Sequence, residues 1–371
     1  MMTRKHLSVP RLILTIVLLA IALVLGYLLY VTLQYHRIPD DTVLAIEGQT
    51  SRPLLDPGKP YTAATYNIGF GAYDPSFSFF MDTGTMKDGT PVQGEYGKAT
   101  SKQVVLSNLQ GIISTVKKLD PDILLFQEVD KKSNRAHGVN EKQMLEDNLP
   151  GRNTVYASNF HSAYLAYPFS DPHGKTEAGL VTMSKHPISQ AVRKQYPVDD
   201  SFPNRFFDLD RAFSVTVLPV TNGKNLVLIN SHMSAYDKGG VIRKQQLEVL
   251  NAYLAEAIAN GDYVIVGGDF NHSLGSDILT AFPSQQEIPE WVHVIDDADL
   301  TAGMRIVKAG NRTTTPTCRS TDMPYRKGVN YTAVLDGFLV SDNVTATAKN
   351  VDNQFAYSDH QPVVLTFTLK P

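Results

Sequence analysis

Five stretches of this chain set a polar or ionisable side chain at the end of an apolar run. Ala63-Ala-Thr-Tyr-Asn-Ile-Gly69 carries Asn67, Ile123-Leu-Leu-Phe-Gln-Glu128 ends in Glu128, and Leu228-Ile-Asn-Ser-His232 ends in His232. Val264-Ile-Val-Gly-Gly-Asp-Phe-Asn271 carries Asp269 and Asn271, and Tyr357-Ser-Asp-His-Gln-Pro362 brings Asp359 and His360 just ahead of a last apolar run. A charge at the end of a buried strand is costly unless it is paired or metal-bound, and strand ends in layered folds are where sites are assembled. Carboxylates and amides suit a hard cation with oxygen ligands, and imidazoles beside carboxylates suit proton transfer. Taken singly, a Glu after a strand is ordinarily capped or exposed, and a His there is ordinarily just hydrogen-bonded. Recurrence at five strand ends is what points to one site.

Arg211 stands in Asp208-Leu-Asp-Arg-Ala212, at the start of another apolar run. Its planar fork suits a phosphate; a salt bridge to Asp208 or Asp210 explains it equally well. Tyr236, Asp237 and Lys238 follow His232 closely, and spacing alone assigns them nothing. His161, His173 and His186 fall in loops and receive no chemistry.

The elements that must position these residues are short β-type runs bounded by Gly, Pro, Asn or Asp: 62–68, 123–128, 179–184, 212–220, 225–231, 263–269, 334–340 and 363–369. Residues 102–118 repeat apolar side chains at Val105, Leu109, Ile112, Ile113 and Val116, one face of a helix. Residues 241–259 repeat them at Ile242, Leu247, Leu250, Leu254 and Ile258. Strands and helices in alternation, with some strands adjacent, predict a layered α/β domain with mixed sheets. Residues 69–101 and 301–330 read as long irregular segments, a length often tied to function. The first holds Phe77, Phe79 and Phe80, which suit a lipid interface or, somewhat better, the core.

Composition sets limits. The 371 residues include a single cysteine, Cys318, so an intrachain disulfide and a cysteine-type zinc site are both excluded. A net charge of -3 does not demand a nucleic-acid partner. Leu12 to Val31 is an uncharged apolar run, about the 20 residues needed to cross a bilayer. Tyr27 and Tyr30 lie near its far end, and Arg4, Lys5 and Arg11 precede it, which by the positive-inside rule keeps the short N-terminus in the cytoplasm. No small-x-small site follows, so the run reads as an uncleaved anchor rather than a secretion signal. The expected layout is a cytoplasmic N-terminus at 1–11, a transmembrane helix at 12–33, a stalk at 34–60 with one short strand at 42–46, and a catalytic domain at 61–371 outside the membrane. Without Arg4, Lys5 and Arg11 there remain 31 basic against 37 acidic residues, not the basic stripe of a dedicated DNA-binding surface.

The set Tyr66-Asn67, Gln127-Glu128, Ser231-His232, Gly268-Asp-Phe-Asn271, Asp336-Gly-Phe and Ser358-Asp-His-Gln-Pro362 resembles the endonuclease/exonuclease/phosphatase superfamily, in family order over roughly residues 62–369. The resemblance implies a DNase I-like α/β sandwich, two packed, mostly antiparallel sheets flanked by helices. It implies Mg²⁺, with Mn²⁺ as a substitute, at Glu128 and Asp359 with the amide of Asn67 beside it. It further implies that Asp269 orients or deprotonates a water, that Asn271 holds that water or a phosphate oxygen, and that His360 sits on the phosphate with Asp336 on its far nitrogen. His232 would donate to a phosphoryl or leaving-group oxygen, the two histidines being exchangeable in role, and Arg211 would contact phosphate.

The expected activity is hydrolysis of a phosphate ester. Three readings stand: a phosphodiesterase acting on a lipid head group, envelope polymer or other non-nucleic substrate; a surface nuclease; and a non-catalytic scaffold on the same fold. The last is weakened because each expected position holds the right residue type. Apart from the substrate and the membrane, no protein partner is implied.

Overall fold

The computed structural model describes residues 9–202, 204–206, 209–235 and 238–371; Arg4, Lys5, Asp208, Tyr236, Asp237 and the side chain of Lys238 lie outside the described residues. The apolar N-terminal run forms α1 (Val9–Gln34), long and apolar enough to cross a membrane, properties a span shares with a secretion signal. Beyond it the chain builds two seven-stranded sheets. In chain order the strands are β1 (Thr42–Val43), β2 (Ile46–Glu47), β3 (Pro60–Asn67), β4 (Ile123–Asp130), β5 (Asn153–His161), β6 (Glu177–Ser184) and β7 (Gln190–Gln195). Then come β8 (Ala212–Pro219), β9 (Asn225–His232), β10 (Tyr263–Asp269), β11 (Met304–Ile306), β12 (Asp336–Ser341), β13 (Val344–Asn350) and β14 (Val363–Leu369).

One sheet runs β1-β7-β8-β9-β10-β12-β11 and the other β13-β14-β3-β4-β6-β5-β2. Each is antiparallel except at one central pair: β9 with β10, where His232 lies opposite Asp269, and β3 with β4, where Asn67 lies opposite Gln127. A parallel central pair ends both of its strands at the same edge, and that is how each sheet delivers two site residues to one place.

Side chains alternate across a strand. Along β10, Tyr263 and Ile265 face the other sheet, with Ala63, Leu125, Leu228, Phe338 and Leu365. Val264 and Val266 face outward onto Leu250 and Leu254 of α4 (Val241–Ala259), the helix that follows the short α3 (Glu141–Asn148) in the chain. The outer face of the second sheet is covered by α2 (Lys102–Leu119) through Val105, Leu109, Ile112 and Val116. The Ser101 side chain accepts from the Val104 backbone N–H at 3.2 Å, capping α2 as serine commonly does. The order helix, sheet, sheet, helix is the expected layered sandwich. Gly267 and Gly268 are required by close neighbours: a Cβ on Gly267 would fall 2.6 Å from Leu125 of the other sheet, and one on Gly268 1.9 Å from the carbonyl of Ser231 on the adjacent strand β9.

Two expectations change in detail. Residues 42–46 form not one strand but two: β1 pairs with β7 of the first sheet, β2 with β5 of the second, and Leu44-Ala45 carries the chain across. Residues 34–60, expected as a stalk, are laid along the domain, with Arg37 paired to Asp210 at 2.8 Å. The irregular segments 69–101 and 301–330 bind one another. Phe79 N–H donates to Thr321 O at 2.8 Å, and Tyr325 N–H to Pro75 O at 2.7 Å. Phe77 and Phe79 are buried in the core beside α2.

Candidate active site

Asn67, at the end of β3, is fully buried. Its Nδ2 donates to Asp269 Oδ2 at 3.0 Å and to Glu128 Oε1 at 3.3 Å, and its Oδ1 accepts from Gly69 N–H at 3.0 Å. One amide thus ties a carboxylate of the opposite sheet to a carboxylate of its own. Glu128 owes its position to a bulge. Between Phe126 and Val129, β4 carries one more residue than β6 opposite, and Glu128 takes a φ of 55°. Left-handed backbone in a non-glycine residue costs about 1–2 kcal/mol and tends to persist where function holds it. The bulge turns the carboxylate into the cleft, where its side chain keeps 23% exposure.

Asp269 lies at the centre. Its Oδ1 accepts the backbone N–H of Asn271 at 2.9 Å. Its Oδ2 is 3.0 Å from Asn67 Nδ2, 3.6 Å from His232 Nε2 and 3.6 Å from His360 Nε2. Asn271, also at positive φ (50°), donates from Nδ2 to Met233 O at 2.9 Å. The two imidazoles face the same carboxylate oxygen from different elements, each too far for a strong direct bond.

Their surroundings push the two rings apart in charge. Burial works against a cation at His360, but Asp336, Cys318, Asp269 and Asp359 outweigh it and push its protonation well above the ordinary imidazole range. Its Nδ1 meets Asp336 Oδ2 at 2.8 Å. Burial, then the positive charges of Arg211, His360 and Arg135, hold His232 well below that range. Its Nδ1 is buried without a partner among the described residues. A buried N–H without an acceptor is expensive, so the proton of neutral His232 belongs on Nε2, where Asp269 and Glu128 (4.0 Å) face it.

The donor set fits a hard divalent cation. Burial raises the Asp359 carboxyl above the usual range and the charge of Glu128 adds to the rise, so two acidic side chains repel one another in one pocket. A cation with oxygen ligands relieves that repulsion. Ligating atoms of Asp269, Asp336 and His360 also lie within 4.8 Å of one another, but the short bond between Asp336 and His360 occupies two of them.

Arg211 precedes β8, whose Ala212 lies opposite His232. It is buried, and its Nε and Nη1 have no hydrogen-bond partner among the described residues. Of the two carboxylates considered for it, Asp210 is engaged by Arg37, and Asp208 lies outside the described residues. All nine expected site residues therefore lie together at one end of the two sheets.

Sequence reasoning missed the supports. Thr317 Oγ1 accepts the backbone N–H of both Leu335 and Asp336 at 3.0 Å, and Cys318 Sγ lies 3.6 Å from His360 Nε2. Arg243, on the face of α4 expected to be apolar, donates to the carbonyl of Asn271 at 3.0 Å. Arg135 grips Asp130, two residues past Glu128, at 2.8 and 3.0 Å. No local pattern announces any of these.

The profile of the Endonuclease/Exonuclease/phosphatase family matches residues 64–360. The chain belongs to the endonuclease/exonuclease/phosphatase family. Enzymes of this family are phosphoester hydrolases that depend on a divalent metal, and this chain is one of that class. Solved structures of the same fold include an endonuclease/exonuclease/phosphatase from Beutenbergia cavernae DSM 12333, at 15% identity and a TM-score of 0.53, covering 84% of this chain and 72% of that one. D. rerio TDP2 complexed with single strand DNA product aligns at 15% identity and 0.52, covering 84% and 99%. The human Nocturnin catalytic domain with bound sulfate aligns at 15% and 0.50, covering 88% and 97%. At such identities the likeness is one of fold. No curated protein matches the sequence.

Proposed function

We propose that this family member is a Mg²⁺-dependent phosphodiesterase held at a membrane by α1, with its domain on the extracytoplasmic side. Arg11, with Arg4 and Lys5 before it, supports that orientation. The layout proposed is the one expected from the sequence, except that residues 34–60 pack on the domain.

Glu128 and Asp359 would hold the cation, and Asn67 orients Glu128 and Asp269 from beside them. A cation there supplies Lewis-acid polarisation of a phosphoryl oxygen. Asp269 orients or deprotonates the attacking water, with Asn271 beside it. His360, charged and fixed by Asp336, lies on the phosphate, where its charge matches the oxygens it faces. Neutral His232 donates from Nε2 to a phosphoryl or leaving oxygen. Arg211, whose Nε and Nη1 have no partner among the described residues, contacts the phosphate.

The observation that carries this reading is the grouping around Asp269 Oδ2, with one amide at 3.0 Å and two imidazole nitrogens at 3.6 Å, drawn from both sheets. The full-length protein in detergent is given a chromogenic phosphodiester with Mg²⁺ and with EDTA, alongside His360→Ala and Glu128→Ala. Turnover is expected only in the wild type with metal. Near wild-type turnover by either folded variant would overturn the site. Supercoiled DNA in parallel assays tests the nuclease reading.

A further inference from the structure

The far end of α1 does not stand clear of the domain. Tyr27 Oη donates to Tyr164 O at 3.1 Å and accepts from Ala166 N–H at 3.2 Å; Tyr30 Oη accepts from Tyr164 N–H at 3.1 Å. Val31, the one buried residue of the helix, packs with Ala163 and Phe206. The Tyr35 ring meets Phe206 edge-on at 5.4 Å. The segment 163–166 is therefore fixed beside the helix at the level of Tyr27.

That level has a consequence. An apolar run from Leu12 to Val31 rises about 30 Å, one hydrocarbon thickness. Tyr27 then sits about 6 Å inward of its outer edge at 1.5 Å per residue, within the depth of about 5–10 Å to which interfacial apolar faces insert at the head-group/acyl boundary. Whatever is bonded to Tyr27 is at that depth too. The surface around this contact is apolar and bare: Tyr164, Tyr167, Phe169 and Phe202 are 43%, 60%, 86% and 65% exposed, and Met81 51%. Their ring contacts fall in two groups beside the helix end: Tyr167 contacts Phe169 at 5.9 Å and Phe80, next in sequence to Met81, at 5.6 Å, while Phe202 contacts Phe206, which packs with Val31 and Ala163, at 5.8 Å. Bare aromatic patches of this kind mark an interaction surface.

We infer that Tyr164, Tyr167, Phe169 and Phe202, with Met81, seat the domain in the lipid interface from which α1 emerges. The inference rests on α1 remaining uncleaved. The occupant is lipid rather than a second chain because the hydrogen bonds to Tyr27 and Tyr30 place the patch at the depth of the membrane helix. The seating also bears on the cleft. Arg37, three residues beyond α1, pairs with Asp210 at 2.8 Å, and the next residue is Arg211. The Arg211 edge of the site is thereby held at head-group level, where a membrane-borne phosphodiester would present itself.

The test uses the full-length chain in lipid vesicles. Trp291 is the sole tryptophan, so Phe169→Trp in a Trp291→Phe background gives a single reporter at a position exposed enough to accept it. Lipid brominated near the top of its acyl chains is expected to quench this emission by about half or more, as for an interfacial indole, while aqueous iodide quenches weakly. Emission that responds to iodide and ignores bromolipid overturns the inference, as does emission shielded from both, which would mean a protein partner covers the patch. Phe202→Trp in the same background is a second reporter should the first variant misfold. The mass of the membrane-bound protein is read alongside. A chain shortened by loss of α1 overturns the anchoring itself, whereas an intact chain without lipid quenching overturns only the seating.

Discussion

Nδ1 of His360 lies 2.8 Å from Oδ2 of Asp336, and both side chains are buried. The carboxylate fixes which nitrogen carries the proton it accepts, and so aims Nε2 at the cleft. The strand that carries Asp336 pairs in register with β10, setting Asp336 opposite Asp269. The imidazole thus spans two carboxylates on adjacent strands.

Asp336→Asn removes the anion and leaves the shape. An amide that presents its NH₂ to Nδ1 leaves a lone pair there, so His360 becomes neutral with its single proton on Nε2, and the cationic donor that Asp336 sustains is lost. Turnover of a phosphodiester is expected to fall about 10²–10⁴-fold, the range for loss of a positioned proton donor. Circular dichroism and the melting temperature should stay near wild type. A variant with unchanged turnover would remove Asp336 from the mechanism.

Glu128→Gln separates the metal from the fold. In EDTA the wild type sets the Glu128 charge against the buried Asp359 carboxyl, so the neutral variant should melt no lower than the wild type, and higher if the repulsion is large. Added Mg²⁺ should raise the wild-type midpoint, since a ligand at about 100 times its dissociation constant contributes about 2.7 kcal/mol. The variant should show little of that rise. Equal Mg²⁺ responses from both proteins, by scanning calorimetry, would place the cation elsewhere.

The parts of this arrangement that were legible in the sequence share a cause. Residues 263–269 and 363–369 are legible to the residue because each is a dense β-type run with sharp polar ends. Seven of the expected site residues, Asn67, Glu128, His232, Asp269, Asn271, Asp359 and His360, are legible because they stand beside the ends of apolar runs, whereas Asp336 sits inside one and is expected only from the family resemblance. Strands 153–161, 190–195 and 344–350 are not legible. The last, Val-Thr-Ala-Thr-Ala-Lys-Asn, lies at a sheet edge and buries only its two end residues, so its apolar signal is faint. Arg243 and Gln246 interrupt the expected apolar stripe of α4 because they hydrogen-bond loops across the layer, Gln246 reaching Ser234 and Pro197. Such contacts depend on residues far away in the chain and leave no local period to read.

Arg211→Lys tests the phosphate contact. Lysine keeps the charge but loses the fork, and Nε and Nη1 of Arg211 are the two buried donors without a partner among the described residues. If those atoms await phosphate oxygens, kcat/KM should fall about 10–100-fold, the scale of one or two charge-assisted bonds. The melting temperature should barely move. Retained kcat/KM with a lowered melting temperature would instead assign Arg211 to a structural ion pair.

His173 offers a prediction about pH that stays clear of the catalytic cleft. Its ring is buried among Phe79, Phe80 and Phe160, with Nδ1–H donating to Gly97 O at 2.6 Å. Burial, with the charge of Arg135, lowers its pKa from an ordinary 6.5 to about 3. Between those values the unfolded chain binds a proton that the folded chain refuses, so stability present above pH 6.5 is lost as the pH falls toward 3. One such group gives a slope of up to about 1.4 kcal/mol per pH unit. His173→Asn keeps a donor near Gly97 and removes the titration. It should lower stability at pH 7 through lost packing, yet flatten the decline between pH 6 and 4 by about that slope. Urea unfolding at several pH values reads both quantities, and a variant whose stability falls as steeply with acid as the wild type would show that His173 is not held neutral.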